Sequence, residues 1–182
     1  EIYDVTAWAL PLMHGLDAVS CQRANLSSAE PVRADDSMPD RVTAGDGAFG
    51  YVVPWTDAGQ AKLVIAALQA GFVGKSSDEA FVAECRSWPR GSVVVSRSAN
   101  DSSLGTALRN LATDIGAEVV PLASSWTEAG PNLGSSEFKT LAAPKVAMLW
   151  DEGVSPTDSG AARYVLEQAF GLPVTPIRTR TL

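Results

Sequence analysis

From Ala48 onward the chain repeats one pattern. A short apolar run is followed by a turn, a helix with a single apolar stripe, and another apolar run. This alternation constrains the fold more than any other feature, because helices that alternate with strands must bury their stripes on a sheet. Residues 49–53 form the first run, closed by Pro54. Asp57 caps the next helix, with Gln60 as its capping-box partner, and Leu63, Ala66, Ala67 and Ala70 share its stripe as far as Gly71. Residues 72–74 and 79–84 read as short strands around a turn, residues 87–91 as a second turn, and residues 92–96 as a Val-rich strand. Leu104, Ala107, Leu108, Leu111 and Ile115 recur at helical spacing, and Gly116 stops that helix. Strands follow at 118–122 and 145–150. Ser155, Pro156 and Asp158 then mark a helix start, with Ala162, Val165, Leu166, Ala169 and Phe170 on its buried side, and a last strand begins at 174–177. The expected fold is an α/β three-layer sandwich with a mostly parallel sheet and right-handed crossovers. Residues 25–47 and 123–143 read as long polar loops within a single domain spanning residues 1–182.

Composition narrows the chemistry. The chain has one histidine, His14, and two cysteines, Cys21 and Cys85, so neither a two-histidine nor a four-cysteine zinc site can be assembled within it. Acidic residues outnumber basic ones 21 to 14, for a formal charge of −7, which leaves no basic face for nucleic acid. No stretch is apolar enough for a membrane span. The opening Glu1-Ile2-Tyr3-Asp4 lacks the start of a signal peptide and reads as the interior of a longer polypeptide, of which this chain is expected to be a fragment. Cys21 and Cys85 permit one disulfide or two separate thiols.

The Gly74-Lys75-Ser76 triplet lacks the preceding glycine spacing and the following helix of a phosphate loop. Cys85 and Cys21 have no flanking glycines to form a nucleophile elbow. A Cys–His pair with His14 exists by count alone, with Arg86 placed to lower the Cys85 thiol pKa. Asp151, Glu152, Asp158 and Arg163 lie just after a strand and in the helix that follows, where ligands collect in parallel α/β sheets. They are the candidate ligand-binding residues; the plainer reading makes Asp158 a helix-terminus charge and Asp151 and Glu152 solvated loop residues. The five tryptophans, Trp8, Trp55, Trp88, Trp126 and Trp150, lie mostly beside strand ends and suit a core edge or a docking face.

Three segments resemble large bacterial zinc carboxypeptidase-like proteins of the carboxypeptidase A superfamily. Tyr3-Asp4-Val5-Thr6-Ala7-Trp8-Ala9-Leu10-Pro11-Leu12 resembles the passage that follows their peptidase domain. Phe81 with Trp88-Pro89-Arg90-Gly91-Ser92-Val93-Val94-Val95 resembles the hairpin of their second domain. Lys145 to Trp150 and Asp158 to Thr175 resemble its last strand–helix–strand, although Ala161 stands where that pattern carries tryptophan. The resemblance implies a class I glutamine amidotransferase-like, flavodoxin-like domain without a working nucleophile. The family's peptidase holds zinc with a His-x-x-Glu pair and a distant histidine. Here the residue three after His14 is Asp17, so no zinc ligand carries over.

The resemblance therefore implies a non-catalytic accessory domain of a periplasmic or secreted zinc metallocarboxypeptidase-like protein. Its partner would be the upstream peptidase domain of the same polypeptide, which would hold the zinc and remove C-terminal residues from peptides. This chain would hold no cofactor, and a homo-oligomer is compatible with this reading. The alternatives are a small-molecule-binding module using the strand-end carboxylates, or a cysteine-dependent hydrolase or amidotransferase using Cys85 or Cys21 with His14.

Overall fold

The computed structural model describes residues 19–20, 22–23, 41–43, 45–151, 153–178 and 180. Its centre is a five-stranded sheet of β1 (Gly50–Val53), β2 (Lys75–Ser76), β5 (Val93–Ser96), β6 (Val120–Leu122) and β7 (Lys139–Thr140), in the order β6-β1-β5-β2-β7. Every ladder in that sheet is antiparallel. Helix α1 (Ala58–Gln69) connects β1 to β2, and helix α2 (Leu104–Ile115) connects β5 to β6. β5 lies between β1 and β2, and β1 lies between β5 and β6. Each βαβ unit is thus split by a strand of the other, the interleaved βαββαβ connectivity of ferredoxin-like sheets. The hairpin of β3 (Phe81–Ala83) and β4 (Arg86–Trp88) is inserted between β2 and β5.

This arrangement corrects the expected mostly parallel three-layer sandwich of the class I glutamine amidotransferase-like, flavodoxin-like kind. Strand–helix alternation has the same sequence period whether the two strands of a unit are neighbours or enclose a third. Continuous apolar strands such as Tyr51-Val52-Val53 are the usual mark of a parallel sheet covered on both faces. Here both faces are covered by different means. Tyr51, Val53, Val93 and Val95 pack under Leu63 and Ala67 of α1 and Leu104, Leu108 and Ala112 of α2. Val52, Val94 and Leu122 face the other way, against Phe81, Ala83 and Trp88 of the hairpin and Leu133 and Phe138 beyond β6. Phe81 and Phe138 meet edge to face, with ring centroids 5.4 Å apart. The segment 123–143, read as a polar loop, therefore supplies two core side chains and the edge strand β7. Residues 25–40 and 44 of the other expected loop lie outside the described residues.

Parallel pairing does occur at the C-terminal end. β8 (Val146–Leu149) and β9 (Val174–Ile177) form a two-stranded parallel ladder joined by α3 (Pro156–Tyr164) and a π-helical turn, Val165–Ala169. The Gln69 side-chain amide of α1 donates to the Gly171 carbonyl at 3.1 Å, linking the main body to this unit.

The helix signals read from sequence act as expected at most ends. Gly116 closes α2 in the left-handed region at φ 75°. The Asp57 carboxylate accepts the Gln60 backbone N–H at 3.2 Å and pairs with Arg41 at 2.9 Å. Only half of the expected capping box forms, because the Gln60 side chain is fully buried with neither its amide oxygen nor its nitrogen hydrogen-bonded. A buried amide without partners costs free energy that an apolar side chain of similar shape does not. Gln60→Leu, which keeps the backbone N–H for the cap, is expected to raise unfolding stability by about 1 kcal/mol in urea titrations.

Burial raises the Asp57 carboxyl pKa, but the Arg41 hydrogen bond, the Gln60 and Gly59 N–H groups and the Arg41 charge outweigh it, leaving it below the usual 3.8. A pKa lowered by folding stabilises the protein above the unfolded-state value, and that stabilisation fades as pH falls through the folded-state value. Stability measured by urea titration should therefore decline below about pH 4. In Asp57→Asn, which keeps an N-cap acceptor, that part of the decline should be absent.

Candidate functional site

Among the described strand-end carboxylates, Asp151 alone reaches the cavity at the end of β8. β8 runs into Trp150, whose N–H donates to the Ile177 carbonyl at 2.8 Å and fixes the strand end beside β9. The chain then turns, with the Val154 N–H on the Asp151 carbonyl at 3.2 Å, and enters α3 through Ser155. Ser155 Oγ accepts the Asp158 N–H at 3.4 Å, and Pro156 occupies the first turn, where its missing N–H removes no helical bond. Between strand end and helix start lies an open cavity of about 190 Å³ lined by Trp150, Asp151, Val154, Pro156 and Ser159. It is smaller than the roughly 300–1,000 Å³ usual for organic ligands.

Of the four candidates, Asp151 lines this cavity. Asp158 is exposed in the first turn of α3, where its charge complements the helix dipole. Arg163 turns to the helical segment that continues its own and to the end of the preceding strand, β8. Its Nε donates to Glu167 Oε2 at 2.9 Å, and its guanidinium lies 5.7 Å from the centroid of the Trp150 ring. Glu152 lies outside the described residues.

Glu167 is the member that the sequence reading missed, although its i,i+4 spacing from Arg163 is a signal for such a pair. The Arg163 hydrogen bond, foremost, holds its carboxyl below the usual carboxylate range. Burial opposes this, while the Val174 N–H and the Arg163 charge add to it. With one oxygen on Arg163 and the other accepting the Val174 N–H at 3.4 Å, Glu167 ties the helix side of the unit to the start of β9.

Cys85 is exposed and unbridged at the tip of the β3–β4 hairpin. With Glu84 it forms the two-residue connection, at φ 55° and 56°, the left-handed pair that closes a type I′ hairpin. No helix follows it directly, since the chain continues into β4. Arg86 is engaged elsewhere, with Nη1 at 2.5 Å and Nη2 at 3.2 Å from the Glu118 carboxylate and its guanidinium 4.3 Å from the Trp88 ring centroid. His14 and Cys21, the other members of the expected cysteine–histidine set, lie outside the described residues. Among the described residues no group of three or more His, Cys, Asp or Glu side chains is arranged to hold a metal ion. No described helix is long and apolar enough to cross a membrane.

The tryptophans divide by environment. Trp88 is fully buried, whereas Trp150 is 39% exposed, Trp55 47% and Trp126 70%. Trp55 borders an apolar groove of about 310 Å³ whose walls include Ile65, Leu68, Leu141 and Pro144. The C-terminal unit adds a further apolar exposure, with Leu149 at 39%, Val165 at 46% and Tyr164 at 67%.

Comparison with protein families, with curated proteins and with solved structures finds no match to this chain.

Proposed function

We propose that this chain is a non-catalytic accessory module of a zinc metallocarboxypeptidase-like protein and that its task is docking. Its partner on this reading is the peptidase domain of the same polypeptide, which holds the zinc and removes C-terminal residues from peptides in a periplasmic or extracellular setting. The sequence support is the resemblance carried, in order, by residues 3–12, by Phe81 with residues 88–95, and by residues 145–150 and 158–175.

The structural observation behind docking is the incomplete cover of the β8–β9 unit. Parallel strands are ordinarily buried on both faces. Here Ala147 and Leu149 of β8 are exposed, as are Thr175 and Pro176 of β9. Trp150, Tyr164 and Val165 extend the exposed apolar surface, and the two stretches approach each other where Arg163 lies over the Trp150 ring. Large aromatic side chains left outside are the usual anchors of an interface.

The test is an assay of C-terminal residue release from peptides. The isolated chain should release none, with zinc or with chelator. The whole polypeptide encoded by its reading frame should release residues in a chelator-sensitive manner. Zinc-dependent release by the isolated chain, or an inactive whole polypeptide, would contradict the proposal.

A further inference from the structure

We infer that the sheet face opposite α1 and α2 carries a small oxyanion site built on Lys75, Ser96 and Ser98. These three side chains line a cavity of about 160 Å³, together with Phe49, Val94 and Leu133. Lys75 of β2 pairs in register with Val94 of β5, so both point to the face that the hairpin covers. Among the described residues the Lys75 ammonium has no hydrogen bond or ion pair, whereas Arg41, Arg86, Arg97, Lys139 and Arg163 each meet a carboxylate. Lys75 is half-buried, which leaves its ammonium accessible to an anion entering the cavity.

The hydroxyls supply the second element. Ser96 Oγ and Ser98 Oγ are 3.3 Å apart, so one proton is shared between them and the other remains free to donate. The cavity thus offers an ammonium group and a hydroxyl donor at a partly open site, and a hydrogen bond from an ammonium to an anion is charge-assisted. One residue beyond Gly134, which also lines the cavity, Ser135 Oγ is buried without a partner. The volume lies below the roughly 300–1,000 Å³ of organic-ligand pockets, which selects a compact oxyanion such as phosphate or a small carboxylate. This site is on the main sheet, apart from β8–β9, and does not depend on the docking proposal.

The test is calorimetric titration of the full chain with inorganic phosphate and, separately, with acetate, at ionic strength held constant with chloride. Saturable binding of either anion is expected, and the one bound identifies the source as free phosphate or a small carboxylate. The formal charge of −7 disfavours diffuse anion adsorption, so saturation reports a defined site. Lys75→Met, which keeps the apolar stem, should weaken binding about tenfold or more. Ser98→Ala should weaken it about fivefold. In the wild-type chain the Lys75 side-chain NMR resonances should move with the same saturation, a readout that does not require the variants to fold. Absence of saturable binding for both anions, unchanged affinity in folded Lys75→Met, or Lys75 resonances that stay fixed while others shift would overturn the assignment.

Discussion

Trp88→Ala is expected to destabilise the chain by about 3–5 kcal/mol, the cost typical of truncating a fully buried aromatic side chain. The indole is 0% exposed and packs with Val52 and Val94 of the sheet and with Phe81 of its own hairpin. Its Nε1–H donates to the Ala83 carbonyl at 3.1 Å, so truncation also removes that buried hydrogen bond. The Arg86 guanidinium over the ring loses its platform as well. A loss of this size is a large share of the roughly 5–15 kcal/mol that holds an ordinary domain together. Trp88→Phe, which keeps ring volume but not the N–H, should cost less. Urea unfolding followed by circular dichroism checks both, and a cost under about 1 kcal/mol for the alanine variant would mean that the hairpin does not seal this face.

Gly50→Ala is the second large effect, and it comes from crowding. β1 is a central strand, with Gly50 opposite Ser96 on one side and Leu122 on the other. A Cβ at residue 50 would lie 2.4 Å from the Val95 carbonyl oxygen and 2.8 Å from Ser96 Cα. Both are backbone atoms of a paired strand, so relief requires β1 and β5 to separate. Glycine at such a close approach has a steric role that no other residue fills. The expected cost is about 3 kcal/mol, the upper part of the range for overpacking. The hydrogen-exchange protection of amides in β1 and β5 should fall more than that in β8 and β9. Uniform protection in the variant would show that the strands are not packed this closely.

The helices were legible in position because their evidence is local, but the side of α3 read as buried is not: Ala162, Val165 and Ala169 are exposed and Leu166 and Phe170 are half-buried. Leu104, Leu108 and Ala112 sit on one face of α2 and are all buried. Ser155 and Pro156 begin α3 where cap chemistry placed them. Strand partnership was not legible, because Val52 and Val94 look the same in sequence whether a helix or a hairpin lies over them. Leu133 and Phe138 escaped notice because isolated apolar residues among serines and glycines carry no period. At the candidate site, Asp151 was found from its position after a strand. Arg163 was read toward a ligand because its partner, Glu167, lies one helical turn further along.

The docking account is tested most directly by titrating the chain into the peptidase domain that the proposal places in the same polypeptide and repeating the titration with Trp150→Ala/Tyr164→Ala. These exposed side chains contribute little to the core, so the double variant should fold as the parent does. The account predicts association that the double variant weakens at least about tenfold, as loss of aromatic anchors does. Undetectable association of the parent chain, or equal affinity in the folded double variant, would contradict it.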